Sequence, residues 1–314
     1  MKKSLILFLI SNIFISLNAQ LLPYGDFESW TVRYIKESSI LGGKTRILYA
    51  IAPTDTIRQN APFAYGKNGN PWSVSNAYAK VSGIEKASGT VYPEYRDAQN
   101  GYCCRMDSKL EVVTALGIID IKVLVAGTIY TGRCIEPIKT AKDPYQNIDF
   151  GVKFNKQPKA LVLDYKCVVE PEKVITVAKG FSRPKKIEGH DEAQAFAYLQ
   201  KRWEDSEGNI HALRVATAYE RFVKSQPVWQ NNHQIPFHYG DITKQPFYKN
   251  YMGLNTTMRA MNSKGKIVTI QEEGWAPQGT TPTHIIINLT SGCYEAFTGH
   301  EGNTLWVDNV KLQY

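Results

Sequence analysis

The chain has 314 residues, 37 Lys and Arg against 29 Asp and Glu, a formal net charge of +8, and 43% hydrophobic residues. The basic residues are scattered, and the densest run, Arg183-Pro184-Lys185-Lys186, contains a proline and precedes Gly189, which predicts a solvated loop. Charge scattered in this way does not point to nucleic acid, and no nucleic-acid partner is expected.

Lys2 and Lys3 form a basic start, residues 5–17 an apolar run, and Leu17-Asn18-Ala19 a cleavage site. Residues 1–19 are expected to be a signal peptide, whose loss would lower the charge from +8 to +6. The apolar run is too short to span a bilayer, and no later one approaches it. No cysteine follows the cleavage site, so no lipid anchor is expected. The expected product is an exported, periplasmic or secreted monomer, residues 20–314, forming one elaborated domain with no linker or internal repeat.

From there the chain reads as strands and turns. Near the start, Glu28 shares a period-two face with Trp30. Trp72 follows the turn formers Gly69, Asn70 and Pro71 and precedes Asn76, which predicts a tryptophan in an edge loop. Residues 102–112 alternate, placing Cys104 inward and Cys103 outward; Cys103 is expected to be accessible or bridged, with Cys134 as the first partner to try. The odd residues 161–169 form an apolar face that makes Cys167 a core thiol. With Cys293 the cysteines number five, an odd count with no metal-site spacing.

Residues 123–131 predict a strand broken at Gly127, and 151–154 and 159–169 two more. The composition of 192–203 favours helix, but the turn at 205–209 and the strand beyond it make a hairpin the better reading. Residues 210–222 alternate with His211, Leu213, Val215 and Tyr219 on one side, and 283–289 is a β-branched buried strand. Trp275, after Glu273 and Gly274, predicts a second exposed indole. In the last segment Trp306, Asp308, Val310 and Leu312 share a face, so Asp308 is an acid among apolar side chains. Trp30 and Trp306 are expected in the core.

Catalytic signatures are scarce. Gly43-Lys44-Thr45 lacks the first glycine of a phosphate loop, and there is neither a Gly-x-Ser-x-Gly nor a His-Glu-x-x-His. His233 and His238 beside Asp241, Glu272-Glu273 and His300-Glu301 read as loop residues. Glycoside hydrolysis needs two carboxylates at a set separation, and the sequence selects no such pair.

The chain resembles the putative carbohydrate-metabolism domain family of exported Gram-negative proteins. The resemblance runs through Pro23-Tyr24-Gly25-Asp26-Phe27-Glu28-Ser29-Trp30, Trp72-Ser73-Val74-Ser75-Asn76, residues 126–132 and 151–161, Ile235-Pro236-Phe237, 289–292 and 305–312. The family's ending carries two adjacent acids where this chain has Asp308-Asn309. The resemblance implies an all-β, jelly-roll-like sandwich with long loops and a role near glycans.

Together these features predict a glycan-binding or polysaccharide-handling protein, with a glycoside hydrolase or lyase and a structural or adhesive surface protein as alternatives. Sugar stacking is assigned to Trp72 and Trp275, with Asn76 and Glu273 meeting hydroxyls. Glu28 and Asp308 are expected to meet over a structural calcium ion if the terminal strands pair, or to be satisfied by arginine and backbone N–H groups instead.

Overall fold

Leu161, Leu163, Tyr165 and Cys167 point into the core from the strand Ala160–Val168, while Asp164 and Lys166 point out. This alternation suits a half-covered antiparallel sheet. The computed structural model describes residues 19–115, 119–139, 143, 145–180 and 182–314, so the expected signal peptide, Ala19 apart, lies outside the described residues. The protein is an all-β sandwich.

One sheet runs Gln226–Pro236, Ala160–Val168, Thr304–Gln313, Gly101–Asp107 and Val91–Asp97, with Ala19–Leu21 added antiparallel to Thr304–Gln313. The two ends of the described chain therefore pair. The larger sheet runs Ile148–Phe150, Thr128–Glu136, His284–Thr290, Ala193–Glu204, Ile210–Phe222, Ile267–Trp275 and Arg259–Met261. Smaller ribbons, among them Trp30–Lys36 with Thr45–Ile51 and Ala77–Val81 with Ile84–Ser88, form sheets of their own.

Between the sheets lies the main core. Ala193, Ala195, Ala197 and Leu199 from the large sheet face Leu161, Leu163, Leu305, Val307, Val310 and Leu312 from the other. The segment with helical composition is a strand, because its alternate residues bury on two different faces. Intrinsic propensity yields to two-sided burial.

Two bulges change faces that alternation alone assigns. In the hairpin, Leu199 pairs with Ala216 and Gln200 with Arg214, leaving Val215 as the extra residue. Ala216 and Ala218 thereby enter the core, and Tyr219 turns outward, away from Leu213 and Val215. In the last strand, Val162 pairs with Lys311 and Asp164 with Asp308, and Asn309 takes φ 51°. Leu305, Val307, Val310 and Leu312 therefore face the core. Trp306 and Asp308 lie on the outer face, which corrects their expected grouping with Val310 and Leu312. Gly25 seats the first turn here: its carbonyl accepts from the Val310 amide at 2.8 Å, and a Cβ would stand 2.7 Å from the Val310 carbonyl.

All five cysteines are free. Cys104 and Cys167 are core thiols as expected. Cys103 does point outward, but it is buried and donates to the Glu94 carbonyl, because long charged side chains roof that face. Burial pushes its thiol up to about 12, and Cys134 is likewise a buried free thiol.

Candidate functional site

The predicted stacking residues are placed as follows. Trp72 is fully buried, its Nε1 donating to the Pro23 carbonyl at 3.0 Å and its ring 5.8 Å from Phe27. It begins a strand, Trp72–Val74, that pairs with Thr128–Glu136, so the preceding turn formers lead into the sheet rather than out to solvent. The expectation of an exposed Trp72 is corrected. Asn76 is buried too. Its amide donates to the Tyr49 and Val91 carbonyls and accepts from the Thr90 and Val91 amides, which uses it as a clamp between segments.

Trp275 ends the strand Ile267–Trp275 and is half-buried, with the Arg214 guanidinium 5.7 Å from its ring. Glu273 is exposed and bonds His211 Nδ1 at 2.6 Å. Glu272 is buried and paired to Arg214 at 2.5 Å. The structure thus disperses the four predicted contacts.

The acids expected at a cation also part. Glu28 is exposed and accepts from the Tyr102 amide at 2.9 Å. Asp308 is buried on the outer face of the smaller sheet, where Arg96 Nη1 donates to it at 2.7 Å and to Asp164 at 2.9 Å. Its positive partner is an arginine, the second of the two arrangements weighed. Among the described residues, no cluster of three or more His, Cys, Asp or Glu has metal-holding geometry.

What the structure assembles instead is a cavity of about 490 Å³ on the outer face of the large sheet. Its floor consists of two adjacent rungs running across four strands. Register places Tyr130, Asn288, Phe196 and Tyr219 side by side, and next to them Thr128, Thr290, Gln194 and Arg221. The first rung is mostly aromatic and the second polar. Successive same-face rungs in a strand stand about 7 Å apart.

Contacts within the floor are tight. Phe196 stacks on Tyr219 at 5.1 Å and on Tyr198 at 4.7 Å, and Tyr219 donates from its hydroxyl to Gln194 Oε1 at 2.5 Å. Arg221 lies 3.8 Å from the ring of Tyr251, which in turn stands 5.1 Å from Tyr219. Asn288 is 8% exposed, lines the cavity, and its amide has no hydrogen-bond partner among the described residues. The amide opens onto the cavity rather than being sealed from it, which leaves it free to bond a polar ligand.

Beneath the floor, Arg214 packs 3.5 Å from the Tyr198 ring and forms a two-pronged pair with Glu272. Although burial opposes ionisation, the Arg214 guanidinium holds the Glu272 carboxyl below its ordinary value. Gln200 and the Asn255 amide also donate to Glu272, which ties the floor to the rim segment carrying Thr257 and Met258. Burial pushes Tyr219 up to about 12, and Tyr198 is also raised. Both phenols stay protonated near neutrality, fit for hydrogen bonding rather than for proton transfer.

The rim comes from loops. Tyr251 and Tyr294 are 39% and 41% exposed at its edges. Asp191 secures the second of these loops: its buried carboxylate accepts from the Cys293 and His300 amides, each at 2.8 Å. Gly299 is needed there, since a Cβ would approach Asp191 Oδ2 to 2.6 Å. Asp143 and Glu295 are the acids lining the cavity among the described residues, and Asp143 pairs with Arg259 at 2.5 Å. Sequence reasoning missed this site. Its one legible trace is the even-numbered series Gln194, Phe196 and Tyr198, opposite three alanines.

A family model described as putative carbohydrate metabolism domain matches residues 49–313. No curated protein matches. A crystal structure of a putative glycoside hydrolase from Bacteroides thetaiotaomicron VPI-5482 is similar at 18% identity, covering 72% of this chain and 57% of that one, with a TM-score of 0.41. The chain thus spans just over half the length of that protein. A second putative glycoside hydrolase, from Bacteroides vulgatus ATCC 8482, is 12% identical, with 94% of each chain covered and a TM-score of 0.42.

Proposed function

We propose, on the premise that the chain belongs to the putative carbohydrate metabolism domain family, that it is an exported protein that binds a neutral glycan in the aromatic cavity. The observation that carries this reading is the aromatic rung with the Asn288 amide set within it, facing the cavity with no hydrogen-bond partner among the described residues. Sugar rings present C–H faces to aromatic surfaces and hydroxyls to amides. A concave site with an aromatic floor and a few converging polar groups suits both. The basic start and apolar run of residues 1–17 support export to the periplasm or medium.

A glycan array, followed by calorimetric titration with the best neutral oligosaccharide, tests the reading. Asn288→Ala and Tyr251→Ala should each weaken binding while leaving the melting temperature within a few degrees of the parent. Binding untouched by both substitutions would remove the site. A hydrolytic reading has one observation in its favour, namely that Asp143 and Glu295 line the same cavity. Reducing-sugar release that disappears in Asp143→Asn or Glu295→Gln would establish it.

A further inference from the structure

A second cavity, of about 850 Å³, adjoins the first along the same strands. The short strand Ile148–Phe150 divides them: Ile148 and Phe150 line the aromatic cavity, and Asp149 lines the other. The character of the second cavity is different. Arg133, Lys153, Lys156 and Arg202 line it, against Asp149 and Glu204.

The acids do not balance the cations. Glu204 is turned to Ser263, accepting from its amide at 2.8 Å and its hydroxyl at 2.6 Å. Asp149 accepts from the Met261 amide at 3.0 Å and lies near enough to Arg202 and Arg133 to offset part of their charge, without an ion pair to either. Arg202 spends its donors on neutral acceptors, Nε on Gln200 Oε1 at 2.7 Å and Nη1 on the Phe150 carbonyl at 2.8 Å. Its Nη2, shielded from solvent over Gly151, has no hydrogen-bond partner among the described residues. Arg133 and Lys153 are exposed and form no ion pair among the described residues.

His284, on the cavity wall, is driven down to about 3 by burial and then by the positive charges of Arg202 and Lys153. A cleft lined by one sign of charge with low-dielectric walls focuses its field and concentrates ions of the opposite sign. The ligand chemistry that meets these terms is an oxyanion.

We propose that this cavity accepts the carboxylate or sulfate group of an acidic sugar, with Arg133 and Lys153 meeting the anion and the buried charge of Arg202 holding it there. The inference uses no residue of the aromatic cavity's floor and is separable from the glycan reading above.

Calorimetric titration of the purified full chain at low salt, with sodium glucuronate, glucose 6-sulfate, inorganic sulfate and glucose as separate probes, tests it. Glucuronate or glucose 6-sulfate should bind, and which of the two does so identifies the anion; glucose should give no heat. The double variant Arg133→Gln/Lys153→Gln replaces two exposed side chains, so it should keep its melting temperature while losing affinity by about tenfold or more. Added salt should weaken binding to the parent, and saturation should shift the His284 ring resonances. Asn288→Ala and Tyr251→Ala should leave all of this unchanged, even if neutral-glycan binding fails. No heat with either acidic sugar, or equal affinity in the double variant, would overturn the proposal. Inorganic sulfate binding as tightly as the sugars would overturn its sugar component.

Discussion

Both sheets carry aromatics and arginines on their outer faces, yet the two faces are built to opposite ends. On the smaller sheet the indoles of Trp229 and Trp306 are engaged by cations. Arg96 lies 4.0 Å from the Trp229 ring, Lys166 stands between Trp229 and Trp306 at 5.5 and 4.5 Å, and Arg105 lies 5.5 Å from Trp306. Asp164 and Asp308 clamp Arg96, and Glu94 holds both Trp306 and Arg105. On the large sheet the aromatics instead floor a cavity, and the Asn288 amide among them has no hydrogen-bond partner among the described residues. The lesson is that aromatic content does not locate a sugar site. What matters is whether the ring faces and nearby polar atoms are already spent.

The sharpest way to break this contrast is to remove Arg96, whose side chain is 2% exposed. Arg96→Ala leaves two buried carboxylates without their cation and should cost about 3–5 kcal/mol in urea unfolding, with Arg96→Lys recovering part of it. Glycan binding on the opposite sheet should survive wherever the protein remains folded.

A pH series addresses the same cluster. Burial pushes the Asp308 carboxyl from 3.8 up to about 6, against the opposing pull of Arg96. Between those values the folded chain holds a proton that the unfolded chain has released. The group's stabilising contribution is therefore complete at low pH and is lost as pH rises through that window, by about 2–3 kcal/mol. Asp308→Asn, which cannot titrate, should remove that slope. An unchanged slope would place the titration elsewhere.

Smaller effects separate the two faces. Trp229→Ala should lower stability by about 1–2 kcal/mol, through lost burial and cation–π contact, without altering glycan affinity. Tyr251→Ala should do the reverse, weakening glycan binding by about 1 kcal/mol at nearly constant melting temperature. Chelation should have the smallest effect of all: with Arg96 already on Asp308, melting should not move. A loss of stability with chelator would instead favour a bound cation near Glu28.

Much of the framework is legible in the residues. Period-two alternation marks Ala160–Val168, and turn residues at 205–209 mark the hairpin that follows Ala193–Glu204. Cys104 and Cys167 read as core thiols because their strand neighbours are apolar. These features are local, and local patterning carries them.

The site was hidden for two physical reasons. A single extra residue in a strand exchanges its faces, and no local pattern announces where that happens. Val215 thereby sends Tyr219 to the cavity floor, and the bulge at Asn309 sends Asp308 out to Arg96 rather than into the core. Exposure, moreover, depends on what lies opposite: Trp72 follows three turn formers and is nonetheless sealed beneath Phe27 and Pro23. The sequence by itself determined that the chain would be built from half-buried strands, because alternation is a property of neighbours. Only the tertiary structure decided which aromatic rings remain open to a ligand, because that depends on register and on side chains as distant in the chain as Asn288 and Tyr130.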